Sequence, residues 1–169
     1  MIPDNKMFLE VGCFEGRATC WMLENMLADN GSITCIDTFE GSEEHTKLEL
    51  GNLQDIFVHN IETSAKLTQH YRVMPMTSYE GLARLIGDKQ QYDFIYIDGS
   101  HTAPDVMTDA CMAFGLLKQG GIMLFDDYLW KDMPGVLHRP KLAIDLFVTL
   151  FSEQCDLAMI GYQLAVKKL

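Results

Sequence analysis

The sequence has no long hydrophobic run. None approaches the roughly 20 apolar residues that a membrane-spanning helix needs, which excludes such a span and leaves no membrane partner to expect. Positive charge is scarce. Lys and Arg number 13 against 24 Asp and Glu, a net charge of -11 in 169 residues. So acidic a surface repels phosphate backbones and anionic lipid, so nucleic acid is not expected as a partner. The five cysteines, Cys13, Cys20, Cys35, Cys111 and Cys155, form no C-x-x-C pair. Their spacing gives no support to a zinc site, and reduced thiols in a cytoplasmic protein are the expectation. The start, Met1-Ile2-Pro3-Asp4-Asn5-Lys6, does not read as a secretory signal. Repeats, low-complexity tracts and Pro/Gly/Ser linkers are lacking as well, and the length suits one domain.

What is present is an alternation of short apolar runs with longer helical stretches. Strands are expected at 6–11, 32–36, 71–74, 94–97 and 122–125. Helices are expected at 17–28, 78–86, 103–117 and 141–151, and the polar stretch 42–69 is helical in places. There Leu48, Leu53, Ile56, Phe57 and Ile61 fall at helical spacing. Residues 118–121 read as a turn, 128–140 as a loop, and 155–160 with 162–166 as a closing strand pair around Gly161. Strands that alternate with helices pair in parallel through right-handed crossovers, which gives a doubly wound α/β sheet. Ligands of such sheets bind beyond the carboxyl ends of the strands.

The residues beyond those ends carry chemistry. The first strand runs into Glu10-Val11-Gly12-Cys13-Phe14-Glu15-Gly16. Its two glycines let backbone approach a ligand, but their spacing departs from the G-x-G-x-x-G of dinucleotide sites. Asp37 ends the second strand, where an acidic residue suits ribose hydroxyls. Thr77 and Ser78 follow the third strand, and they suit a helix cap or a base pocket equally. Asp98 and His101 follow the fourth, and Asp126-Asp127 follow the fifth. Neighbouring strand ends would bring three carboxylates and an imidazole together, a costly arrangement unless a hard cation such as Mg²⁺ sits among them.

The loop 10–16, the segment Cys35-Ile36-Asp37-Thr38-Phe39-Glu40-Gly41, the run Tyr92-Asp93-Phe94-Ile95-Tyr96-Ile97-Asp98-Gly99-Ser100-His101 and the pair of segments Leu117-Lys118-Gln119-Gly120-Gly121 and Phe125-Asp126-Asp127-Tyr128 resemble class I S-adenosylmethionine-dependent methyltransferases. Small-molecule O-methyltransferases of the catechol and macrocin types resemble it most. The resemblance implies a Rossmann-like, seven-stranded, mostly parallel sheet with an antiparallel C-terminal strand pair. It implies a single S-adenosylmethionine-binding domain over 1–169 without the family's N-terminal cap helices. Glu10, Gly12, Cys13 and Gly16 would hold the methionine part of the cofactor, Asp37 the ribose, Thr38 and Phe39 the adenosine, and Thr77 and Ser78 the adenine. Asp98 would also lie against the cofactor. Asp98, Asp126 and Asp127 would hold a divalent metal such as Mg²⁺. Where catechol-type enzymes place a base lysine, this chain has His101, whose ordinary pKa of about 6.5 suits a general base.

The expected reaction is methyl transfer to a hydroxyl of a small molecule, a sugar, phenol or natural product, with a homo-oligomer allowed. Tyr128 and Trp130 suit either an aromatic wall for the acceptor or packing of the loop onto the body. Competing readings are a non-catalytic S-adenosylmethionine-binding module, an NAD-dependent oxidoreductase and a metal-independent methyltransferase.

Overall fold

The computed structural model describes residues 5–41 and 51–169. In chain order the elements are β1 (Met7–Val11), α1 (Arg17–Asn25), β2 (Ser32–Asp37), α2 (Leu53–Ser64), β3 (His70–Pro75), α3 (Ser78–Gly87) and β4 (Tyr92–Ile97). Then come α4 (Ala103–Leu116), β5 (Leu117–Phe125), a single 3₁₀ turn (Val136–His138), α5 (Pro140–Leu150), β6 (Cys155–Ile160) and β7 (Leu164–Lys168). The seven strands form one sheet in the order β3-β2-β1-β4-β5-β7-β6. β1 to β5 pair in parallel, and β7 lies antiparallel to both β5 and β6. The expected Rossmann-like sheet with its antiparallel pair is the one observed.

The central strands are buried on both faces, and their side chains alternate between the two. Leu9, Val11, Ile95 and Ile97 point toward a core built with α3, α4 and α5. Phe8, Ile33, Cys35, Phe94 and Tyr96 point to the other side, against α1 and α2. Every residue of β4, Tyr-Asp-Phe-Ile-Tyr-Ile, is buried. Its one charge, Asp93, accepts the backbone N–H groups of Lys6 (3.2 Å) and Met7 (2.9 Å) and pairs with Lys118 Nζ at 2.7 Å. This pairing satisfies a carboxylate that would otherwise be costly to bury.

Helix starts follow local chemistry. Thr77 caps α3 in a capping box with Glu80, and the Thr102 side chain accepts from Asp105 N at the head of α4. α5 begins at Pro140, whose missing N–H costs nothing there. In the polar stretch, α2 buries Leu53, Phe57 and Ile61 and leaves Ile56 exposed; Leu48 lies outside the described residues.

One sequence expectation is corrected. Residues 118–121 are not a turn between helix and strand but part of β5. Leu117 already pairs with Tyr92, and the register shifts between Tyr92 and Phe94. Gly120 in the left-handed region (φ 76°) and the Asp93–Lys118 pair hold the irregular strand in the sheet. The first helix also ends earlier than expected, at Asn25, and β7 begins at Leu164.

Candidate active site

The strand ends are level across the sheet. Val11 pairs with both Ile36 and Ile97, and Ile97 pairs with Phe125. The ladder continues one residue further: Gly12 N donates to Ile36 O (2.9 Å), Asp98 N to Val11 O (2.7 Å) and Asp126 N to Ile97 O (3.0 Å). The loop after β1, Asp98 and Asp126 are therefore adjacent as a consequence of register.

Gly12 has φ 85°, and a Cβ there would stand 2.0 Å from the Asp98 carbonyl oxygen. Gly16, at φ 86°, opens α1 and lies against Phe57 of α2. Between them the loop is held by Asp37. Its Oδ2 accepts Cys13 N (2.7 Å) and Phe14 N (2.9 Å), and its Oδ1 accepts Phe39 N (2.7 Å). Phe39 is buried beside Phe57, with ring centroids 5.2 Å apart, whereas Thr38 is exposed and accepts Glu40 N.

Glu10 is fully buried on the α1 side of β1. Thr19 Oγ1 donates to its Oε2, while Oε1 has no hydrogen-bond partner. Burial pushes its carboxyl up to about 8. Thr77 and Ser78 both have protein partners. Thr77 caps α3, and Ser78 bonds Asp109, a carboxyl that burial raises to about 6.

Asp98, His101, Asp126 and Asp127 line one pocket. The Asp126 carboxylate has protein partners there: it accepts the Tyr96 hydroxyl, Gln163 Nε2 (2.9 Å) and Asp127 N (2.8 Å). Asp127 adopts φ 52°, a left-handed conformation that Asp tolerates. Its Oδ2 sits 2.8 Å from His101 Nε2. Among the described residues, Asp98, His101 and Asp127 present ligand atoms within 4.8 Å of one another.

The electrostatics follow. Burial, then Asp126 and Asp127, push the Asp98 carboxyl up to about 8. The His101 hydrogen bond holds Asp127 below the usual carboxylate range. Burial and the facing acids push the Tyr96 phenol well up, and Tyr162, hydrogen-bonded to Asp127, is raised to about 12.

The two aromatics of the loop are placed differently. Tyr128 is buried, bonded to Asp145 Oδ1 (2.8 Å) and Lys141 Nζ (2.7 Å), so it packs the loop. Trp130 reaches the site and lies against the His101 ring, 4.5 Å between centroids at 33°. Sequence reasoning missed Tyr96, Tyr162 and Gln163. Tyr96 was findable, two residues before Asp98 and on the same face of the strand. Tyr162 and Gln163 arrive through the Phe125–Leu164 register of β5 with β7, which no local motif announces.

A family model described as a methyltransferase domain matches residues 9–128. An uncharacterized protein, R132, of Acanthamoeba polyphaga mimivirus is 26% identical over 129 residues. That match takes in 74% of this chain, which spans about half, 52%, of the curated relative. A Bacillus cereus O-methyltransferase in complex with SAH superposes with a TM-score of 0.65 at 19% identity, over 96% of this chain and 74% of that one. The MycE methyltransferase of the mycinamycin biosynthetic pathway, in complex with Mg and SAH, gives a TM-score of 0.64 at 15% identity, over 99% and 46%. At these identities the structural likenesses establish the shared fold.

Proposed function

The chain belongs to the methyltransferase-domain family, and from that premise we propose that it transfers a methyl group from S-adenosylmethionine to a hydroxyl oxygen of a small molecule. The observation that carries this reading is the His101–Asp127 pair, 2.8 Å apart, beside Asp98 and one strand away from the Gly12 loop. A proton acceptor thus stands next to a backbone cradle suited to a nucleoside cofactor.

S-adenosylmethionine supplies a methyl group activated on a sulfonium. This chain's residues position it. Gly12, Cys13 and Gly16 give a cradle without side-chain obstruction, and the unpartnered Glu10 Oε1 suits the cofactor's ammonium group. Asp37 keeps the loop in place and retains acceptor capacity on Oδ1 for a ribose hydroxyl. Thr38, Phe39, Thr77 and Ser78 border the adenosine end. His101 takes the proton of the acceptor hydroxyl, while Asp127 orients the imidazole and Trp130 restrains its ring. The acidic surroundings favour a cationic cofactor over its neutral product. Exposed Leu129, Met133, Val136 and Leu137 on the neighbouring loop suit an uncharged acceptor. The net charge argues against a nucleic-acid substrate. The five free thiols suit a reducing compartment such as the cytoplasm.

A second reading has its own observation. Two carboxylates and an imidazole within 4.8 Å fit a divalent cation. Asp98, Asp127 and His101 would hold it, with Asp126 behind them, and it would supply Lewis-acid polarisation of the hydroxyl. His101 would then be a ligand and not the base. The two readings separate on a chelator: the base reading keeps turnover in its presence, and the metal reading loses it.

The test is methyl transfer from labelled S-adenosylmethionine to a panel of phenols and sugars, with thermal unfolding alongside. Stabilisation by S-adenosylmethionine and its demethylated product, but not by NAD, is expected, at about 2.7 kcal/mol for ligand at 100 times its Kd. H101A lowers turnover by about 100-fold or more and keeps the cofactor shift. A shift with NAD alone would overturn the reading. Cofactor binding without turnover across the panel favours a binding module.

A further inference from the structure

A second cluster of metal-binding side chains lies on the α1 side of the sheet, separate from Asp98, His101 and Asp127. Glu10 of β1, Cys13 of the following loop and Cys35 of β2 offer ligand atoms within 4.8 Å of one another. Register explains it: Glu10 pairs with Cys35 across β1 and β2. The loop then folds back so that Cys13 Sγ donates to Ile36 O at 3.6 Å. The spacing of cysteines along the chain conceals this, because the three residues come from β1, the loop after it and β2.

All three are buried, with Glu10 and Cys35 at 0% and Cys13 at 6% exposure. Cys35 Sγ lies 3.9 Å from Glu10 Oε2. An independent observation points to a ligand: Glu10 Oε1 is fully buried and has no hydrogen-bond partner. A buried acceptor left unmet costs about 1–3 kcal/mol. Two sulfurs and one carboxylate oxygen are the donor set of a thiophilic cation and not of Mg²⁺ or Ca²⁺. Zn–S bonds of about 2.3 Å put two sulfurs on a tetrahedral ion roughly 3.8 Å apart, a spacing the cluster admits.

We propose that Glu10, Cys13 and Cys35 form a binding site for a thiophilic divalent cation of the Zn²⁺ type, and that the bound cation excludes the nucleoside cofactor from the Gly12–Gly16 loop. The two thiols and the Glu10 carboxyl release their protons to water as the two metal–sulfur bonds and the metal–oxygen bond form, and no electron is transferred. The exclusion rests on the proposed function, which gives Glu10 Oε1 to the cofactor's ammonium group. One acceptor cannot serve both. The site itself rests on the cluster alone.

The test is titration of the reduced, metal-free protein with Cd²⁺, followed by the ultraviolet thiolate-to-cadmium charge-transfer band. A band that saturates at one ion per chain is expected. It is lost in C13A and in C35A, and in C13S and C35S should an alanine variant misfold. E10Q weakens the ion's affinity by tenfold or more, and excess Zn²⁺ removes the band. Asp98→Asn keeps it, since oxygen ligands give no such absorption. No band, or a band that survives in the C13A/C35A double variant, overturns the site. With Cd²⁺ saturating, the apparent Kd of S-adenosylhomocysteine rises tenfold or more; an unchanged Kd beside a full band overturns the exclusion. If S-adenosylhomocysteine fails to bind the cation-free protein, the exclusion and the cofactor reading both fall, and the band still decides the site.

Discussion

Gly12 lies against the backbone of Asp98: a Cβ on Gly12 would stand 2.0 Å from the Asp98 carbonyl oxygen and 2.4 Å from its carbon. The Gly12 loop and the Asp98–His101–Asp127 group are thus one assembly, joined where β1 and β4 end.

G12A tests that contact. The substitution places a side chain at φ 85° and forces the two strand ends apart. Left-handed backbone alone costs about 1–2 kcal/mol. With the clash the loss should exceed roughly 2 kcal/mol, or about 4–8 °C in Tm for a chain of this size. The stabilisation by S-adenosylhomocysteine should disappear as well. Circular dichroism melts with and without ligand check both.

Much of this was legible in the sequence. Buried parallel strands announce themselves as apolar runs, so Phe94–Ile97 could be placed, and glycines and acids at strand ends marked the site. The start of β5 is hidden in the sequence because Lys118-Gln119-Gly120-Gly121 has turn composition, while the Asp93–Lys118 pair that holds it in the sheet spans 25 positions. Asp126 shows the same limit. Its residue type suits a metal, but the donors it accepts include Gln163, 37 positions away, which no pattern around Asp126 shows. Local patterns report local geometry, and antiparallel register at the far end of the chain is not local.

Asp126 gives the second prediction. Its carboxylate accepts from Tyr96, Gln163 and the Asp127 backbone. Y96F removes a donor and leaves a partly buried acceptor short, a loss of about 1–3 kcal/mol. Q163A takes a donor from the same acid. The two variants share a partner, so their effects should not add. A urea double-mutant cycle reads this, and strict additivity would refute the shared network.

The buried end of β1 gives the third. Asp93 is fully buried and holds Lys6 N, Met7 N and Lys118. D93A strands two backbone donors and the lysine at once, and should cost about 3 kcal/mol. K118A should cost less, because the Lys118 side chain is 35% exposed and Asp93 keeps its two backbone donors. Equal losses in urea melts would contradict this ordering.

Glu10 gives the last, through pH. Its carboxyl titrates near 8 in the folded protein against an ordinary value of 4.5, with burial the first cause. Between those values the unfolded chain has released the proton and the folded chain still holds it. The group's stabilising contribution is therefore complete below about pH 4.5 and is lost as pH rises through about 8. The loss approaches about 1.4 kcal/mol per pH unit inside the window. E10Q cannot titrate, so the difference in stability between E10Q and wild type should move in favour of E10Q from pH 5 to pH 8 and level off above. Asp109, another raised carboxyl, is common to both proteins and cancels in the difference, whereas Asp98 acts on Glu10 and its coupling is part of what the difference reads. Chemical unfolding at a series of pH values measures it. A difference that stays flat across the window would mean that Glu10 is ionised in the folded protein at neutral pH, with Thr19 and the surrounding dipoles sufficient to hold its charge.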